Sequence, residues 1–220
     1  MNCPPMPNIP EEHHGKLVVL AFLAFAGDAE AGERQMAPFR ALATPLVDEV
    51  KPMPYPEIYP PEPPDDSYHP TAAGFTMFVD TIDDNVAETI MKYLEASDAS
   101  MRATQLRVLG GAMARVPADA TAFAHRASRI MVIVVAFYEG PKDKVVREEW
   151  VHRFADALDQ GKEGAYVNFV GDEGEAGVRA AYPGSTWDRL AALKARYDPT
   201  NLFRLNQNIP PAPARADGPG

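Results

Sequence analysis

Residues 164–169 read GAYVNF, and residues 182–211 read YPGSTWDRLAALKARYDPTNLFRLNQNIPP. The first stretch leads an apolar run whose residues predict a short strand over 165–170. On a strand Tyr166 and Asn168, two positions apart, point to the same face. A phenol and an amide aimed together into one space are unusual on a core face and common in a binding site. In the second stretch a helix opens near Trp187. Pro199 stops it, because proline and the residue before it both resist helical continuation. A polar tail then carries Asn206, Gln207 and Asn208 into Pro210 and Pro211.

Working outward from this end, the pattern strand–helix–strand recurs. The continuous apolar run 16–26 predicts a central strand. Asp28 caps a helix over 29–43, with Met36, Phe39 and Leu42 at helical spacing and Glu30, Glu33 and Arg34 outward. Residues 46–53 form a second extended segment. Six prolines between Tyr55 and Pro70 forbid a regular helix or central strand there. A second unit has a strand at 74–80, a helix from Asp83 to Ser97 with Val86, Ile90 and Leu94 on one face, and a strand at 104–109. A third has a strand at 130–138, a helix from Pro141 to Gln160 with Val146, Trp150, Phe154 and Leu158 as its buried stripe, and the strand at 165–170. Short connections between each helix and its strands predict an α+β fold: a mostly antiparallel sheet with helices packed on one face. Identity between the units is negligible, so the recurrence is architectural only.

Composition narrows the function. The chain has 220 residues, of which 46% are apolar, enough for one or two domains with a real core. Its net charge of −10 argues against nucleic acid and anionic membrane surfaces as partners, since both need a basic footprint. A single cysteine, Cys3, cannot form an internal disulfide, and the apolar run 17–26 is too short to span a bilayer. The expectation is a soluble, cytoplasmic protein. The five histidines (His13, His14, His69, His125 and His152) do not pair at ligand spacing on a shared helix face, so no metal site is expected. The acidic loop 171–177, GDEGEAG, lacks the alternating carboxylates of a calcium loop and reads as a solvated turn. No GxSxG elbow is present, and Gly110-Gly111 is a poor dinucleotide motif.

The Tyr-x-Asn-aromatic of Tyr166, Asn168 and Phe169, with the run from Lys194 to Arg204 (KARYDPTNLFR) and the following Asn206-Gln207-Asn208-Ile209, resembles the C-terminal segment of the berberine-bridge-enzyme-like flavoproteins. These belong to the FAD-linked oxidases related to vanillyl-alcohol oxidase. The stretch 106–126, LRVLGGAMARVPADATAFAHR, is similar to the middle of that family's substrate domain. The resemblance implies a substrate or cap domain over 1–163, a berberine-bridge-like segment over 164–211, and a disordered tail over 212–220. It also implies that the open face of the sheet covers a flavin. Tyr166 is then the catalytic base that takes a proton from a substrate hydroxyl or amine, or else a ring that only shapes the pocket. Asn168 hydrogen-bonds the flavin or orients Tyr166, and Asn206 and Gln207 contact the cofactor. Gln105, Arg107 and Phe169 are the substrate-binding candidates. Gln105 and Arg107 share a strand face, and Arg107 either points into the substrate space or is an edge charge. His125 and Arg126 read as a structural pair fixing a loop.

The chain departs from the family pattern at two places. The strand 131–137 is aliphatic where many plant members carry a glutamine, and Phe169 replaces a frequent second tyrosine. Both changes make the expected pocket more apolar. The resemblance also covers only the second half of the family's length. The half that carries the FAD-binding domain has no visible counterpart, so FAD is expected only with that domain present. The expected partner is a separate FAD-binding domain or subunit, or a second copy of the chain through the exposed sheet face. The function expected is the substrate-binding portion of an FAD-dependent oxidoreductase acting on an alcohol or amine. The alternative is a non-catalytic remnant or binding module of the same fold.

Overall fold

The computed structural model describes residues 1–5, 8–59, 70–171 and 173–213. The chain divides into two compact units, Met1–Pro70 and Thr71–Gly220. Among the described residues no helix is long and apolar enough to cross a membrane.

In the first unit, helix α1 spans Ala29–Arg40, and its N-cap Asp28 accepts from the Ala31 N–H at 3.0 Å. That carboxylate satisfies one of the amides a helix start leaves open. The central strand expected over 16–26 does not form. Residues 1–3 and 15–18 make a short antiparallel contact around the Asn2–Leu17 bridge, with Cys3 N–H donating to the Lys16 carbonyl at 2.8 Å. Beyond it the run stays extended without a ladder, and Val19 and Phe22 are 97% and 82% exposed. A strand exists only as half of a pair, and no neighbouring strand lies along this run among the described residues. The segment 46–53 is likewise extended but unpaired. Arg40 holds it, donating to Asp48 at 2.5 Å and to the Val50 carbonyl at 3.0 Å while also pairing with Glu33 at 2.5 Å. Most of the proline-rich connection lies outside the described residues; its start, Tyr55–Ile58, is a 3₁₀ turn.

The second unit is built on a three-stranded antiparallel sheet, order β1-β3-β2, with β1 at Ala72–Val79, β2 at Arg102–Val108 and β3 at Ile130–Phe137. Helix α2 (Asp84–Ala96) joins β1 to β2, and α3 (Gly140–Leu158) follows β3. Asp83 caps α2 by accepting from the Val86 N–H at 2.9 Å. Register fixes which side chains face which way. Thr76, Ile133 and Gln105 lie across from one another, as do Phe78, Met131 and Arg107. Phe75, on the opposite side of β1, meets His152 of α3 edge to face. Arg102, on that same side by register, donates to the Leu94 carbonyl of α2 at 2.7 Å. Both helices therefore cover one face of the sheet, and Gln105 and Arg107 belong to the other. The buried stripe of α3 is Trp150, Val151, Phe154, Ala155 and Leu158; Val146 is excluded from it and is 52% exposed.

The end of the chain departs from expectation in two ways. The strand over 165–170 is replaced by a 3₁₀ turn, Val167–Phe169, entered from Gly164 at φ 135°. The acidic glycine-rich stretch is no mere turn, because α4 begins inside it and spans Gly174–Ala181. Helix α5 follows at Ser185–Tyr197. The Asp198 carboxylate closes its C-terminal end, accepting from the Leu202 and Phe203 amides at 2.7 and 3.0 Å and pairing with Lys194 at 2.5 Å. Asn201 takes the left-handed conformation (φ 53°) that this reversal needs, one that asparagine tolerates. The Lys194 hydrogen bond is the main reason the Asp198 carboxyl titrates below the usual range, with the two amides adding to it. A lowered folded pKa gives stability that is complete above the unfolded value, about 3.9, and lost as pH falls through the folded value. We expect the Leu202 and Phe203 amide resonances to hold their positions on acidification past that ordinary value and to shift only below it. A midpoint at or above it would contradict the clasp.

Candidate active site

The 3₁₀ turn brings the predicted pair together although the strand that predicted it is absent. The Asn168 amide donates to the Tyr166 hydroxyl oxygen at 2.9 Å. Around that phenol stand aromatic rings: Phe123 meets Tyr166 edge to face at 5.5 Å, and Phe169 lies 5.7 Å away. The guanidinium of Arg107 sits 4.8 Å over the Phe169 ring, and its Nε donates to Gln105 Oε1 at 2.9 Å. Gln105, Arg107, Tyr166, Asn168 and Phe169, drawn from β2 and from a turn some sixty residues later, thus form one contiguous group on the sheet face away from the helices.

Three further residues join it that sequence reasoning did not place there. His125 stacks on Phe78 of β1 at 4.8 Å and meets Phe123 edge to face at 5.8 Å. Burial holds its imidazole below the usual pKa, against the pull of the nearby Ala181, Ala180 and Ala165 backbone, and its Nε2 is buried without a protein partner. Tyr182 stands after α4, and its phenol is raised first by burial and then by the neighbouring Tyr166. It stays protonated beside Tyr166. Phe123 had a visible signal, an aromatic two residues from His125 in the same loop, whereas Tyr182 had none. Arg126 acts as the loop anchor expected of it. Its Nε, Nη1 and Nη2 donate to the Phe123 carbonyl, the Met113 carbonyl and Thr121 Oγ1 at 3.1, 3.3 and 2.7 Å.

The tail reaches the site only in part. Gln207 donates through Nε2 to the Val170 carbonyl at 2.8 Å, so it props the backbone just beyond Phe169. Asn206 is exposed in the left-handed region (φ 58°) and makes no side-chain bond to the group. Among the described residues no three or more His, Cys, Asp and Glu side chains converge as metal ligands would.

Gly164 is where the backbone comes closest. A Cβ there would lie 2.5 Å from His125 Cε1 and 2.7 Å from Nδ1, at a φ that side chains avoid. We expect Gly164→Ala to destabilise the unit by about 1–3 kcal/mol in urea unfolding. An unchanged midpoint would show that the His125 contact yields freely.

The comparisons relate this helix-backed antiparallel sheet to FAD-linked oxidoreductases. The family model described as "Berberine and berberine like" matches residues 165–210. The chain is 32% identical over 130 residues to "Uncharacterized FAD-linked oxidoreductase YgaK" of Bacillus subtilis, covering 59% of this chain and 29% of that protein. It is 32% identical over 122 residues to "Berberine bridge enzyme-like 17" of Arabidopsis thaliana, covering 48% and 23%. Among solved structures, BBE-like #28 from Arabidopsis thaliana superposes with a TM-score of 0.57 at 25% identity, over 66% of this chain and 34% of that one. A chitooligosaccharide oxidase shares the fold, with a TM-score of 0.54 at 21% identity, over 66% and 34%. Over its C-terminal part the chain is similar to berberine-bridge-enzyme-like, FAD-linked oxidoreductases. It spans less than a third of the length of those two curated relatives.

Proposed function

We propose that this chain is the substrate-binding and C-terminal portion of an FAD-dependent oxidoreductase that oxidises an alcohol or amine, with the flavin-binding domain supplied separately. The observation that carries this is the 2.9 Å bond from Asn168 to the Tyr166 hydroxyl, set within an aromatic wall beside Gln105 and Arg107. With one Asn168 N–H spent on Tyr166, the other N–H and the amide oxygen of this exposed side chain remain available. Alternating donor and acceptor groups next to aromatic rings fit the polar edge of a planar flavin, so the donor set is compatible with that cofactor.

When bound, the flavin supplies the two-electron acceptor for the substrate carbon. As the phenolate, Tyr166 takes the proton from the substrate hydroxyl or amine at its phenolic oxygen and becomes the neutral phenol. Asn168 fixes the direction of that oxygen and leaves a lone pair facing the substrate. Phe123 and Phe169 hold the ring on its two sides and exclude water. Tyr182, kept protonated, does not compete as a base. A separate FAD-binding domain or subunit is the partner this reading requires; a second copy of the chain on the same sheet face is the other candidate. A cytoplasmic location belongs to the reading, supported by the single cysteine, Cys3, which is buried and free.

The test is the visible absorption spectrum of the purified chain, alone and after addition of FAD and desalting. No retained flavin band is expected from the chain alone, and substrate-dependent flavin reduction is expected once the flavin-binding portion of a relative is supplied. A band that survives desalting of the chain alone would overturn the separate-domain part of the proposal. No reduction in the completed protein, with any alcohol or amine tried, would overturn the rest.

A further inference from the structure

Two arginines stand on the aromatic cluster, and they are used differently. Arg126 lies 5.1 Å from the Phe123 ring and spends all three of its nitrogens on loop oxygens. Its charge is consumed in holding residues 113–126. Arg107 lies over the Phe169 ring and spends only Nε, on Gln105. Its terminal nitrogens, Nη1 and Nη2, have no acceptor among the described residues, and the side chain is exposed.

Arg34, Arg40, Arg147, Arg153 and Arg179 pair with carboxylates, whereas Arg107 rests on an aromatic ring and an amide. Arg107 is not left over as a mobile surface charge. Its guanidinium carbon lies 4.8 Å from the Phe169 ring centre and its Nε is tied to Gln105, so the side chain is held at two points. A fork held this way, with its outer two N–H groups open, is preorganised for a planar oxyanion accepting both bonds side by side. The entropy of ordering a long side chain is already spent by Phe169 and Gln105. The same Phe169 ring touches Tyr166, so an anion on the fork lies one ring's breadth from the phenol.

We infer that Arg107 selects a substrate bearing a carboxylate, held bidentate by Nη1 and Nη2, with the carbon to be oxidised on the Tyr166 side of Phe169. This rests on the oxidase reading for what happens to the substrate, but the recognition itself does not require it. Gln105 is a positioning residue in this scheme, and Phe169 supplies the stacking plane that a second tyrosine hydroxyl would have made more polar.

The experiment is calorimetric or ligand-observed NMR titration of the full chain at low ionic strength with three probes of one shape: benzoate, phenyl phosphate and benzamide. Benzoate is expected to bind about tenfold more tightly than benzamide, the size of effect a charged bidentate pair gives over a neutral one. Arg107→Met is expected to erase that preference. Arg107→Lys, which keeps the charge and loses the fork, is expected to lose most of it. Equal binding of benzoate and benzamide, failure of both to bind, or a preference that survives Arg107→Met overturns the inference. Tighter binding of phenyl phosphate than of benzoate overturns the carboxylate assignment in favour of a phosphorylated substrate. Tyr166→Phe is expected to leave the preference intact. A protein that keeps the preference but shows no flavin reduction, once completed with a flavin-binding domain, would refute the oxidase reading and leave this one standing.

Discussion

Tyr166→Phe is expected to lower kcat by about 10²–10⁴-fold in the completed protein, the range a positioned general base contributes, with little change in KM. The substitution removes one oxygen and leaves the ring. The contacts to Phe123 and Phe169 therefore persist, and the fold has no reason to change. Only the proton acceptor and the bond from Asn168 are lost. Steady-state kinetics on an alcohol or amine substrate would separate the two roles available to this residue. A tyrosine that merely shapes the pocket would shift KM and leave kcat within a few fold. Asn168→Ala would follow in weaker form, since it frees the phenol to rotate without removing it.

The largest structural effect is expected at Phe154. Its side chain is fully buried, stacked on Tyr93 at 4.6 Å with the rings 6° from parallel, and met edge-on by Trp150 at 5.3 Å. It joins α3 to α2 beneath the sheet. Phe154→Ala removes a ring whose space the two helices cannot close without leaving the strands. The cost should be about 3–5 kcal/mol, read as a fall in Tm of roughly 6–20 °C for a chain of this size. Differential scanning calorimetry would measure it. A fall of only a few degrees would mean that Tyr93 and Trp150 collapse into the space, and that this contact does not secure the two helices.

The parts of the fold legible in the sequence are those whose stability is local or periodic. Asp83 followed by Val86, Ile90 and Leu94 names both the start and the buried face of α2. The continuous apolar run of β3 reads as a buried strand, and the strand forms with most of its length covered on both faces. Residues 16–26 carried the same signal and failed, because apolar character shows that a segment wants burial and cannot supply the neighbour that gives it. The 3₁₀ turn at Val167–Phe169 was misread for a different reason. A six-residue apolar run fits a strand or a turn equally, and the positive φ at Gly164, packed against His125 some forty residues earlier, is not legible in that run. The helix α4 was hidden by its composition, glycine and glutamate, which suits a loop as well as an exposed helix start.

For the candidate site, the sequence supplied the chemistry and not the company it keeps. Gln105 and Arg107 were legible as partners from strand alternation, and Tyr166 and Asn168 from their two-residue spacing. Nothing in the order of residues states that Arg107 lies over Phe169, or that Phe123, His125 and Tyr182 close the other sides. Those contacts follow from how a loop and two short helices fold over one face of the sheet.

The cluster that Arg126 helps to anchor draws on residues from 105 to 182, brought together from β2, the 113–126 loop, the 3₁₀ turn and the end of α4. Contacts between segments so far apart in the chain carry a high loop-closure cost and form after the neighbouring strand and helix contacts have offset it. During synthesis the sheet and its two helices can be complete while Tyr166 and its surroundings are still without a shape. In refolding experiments, a probe at Phe169 or Tyr182 should therefore trail a probe at Phe154, and mild destabilisation should disperse the pocket while the layer beneath it survives.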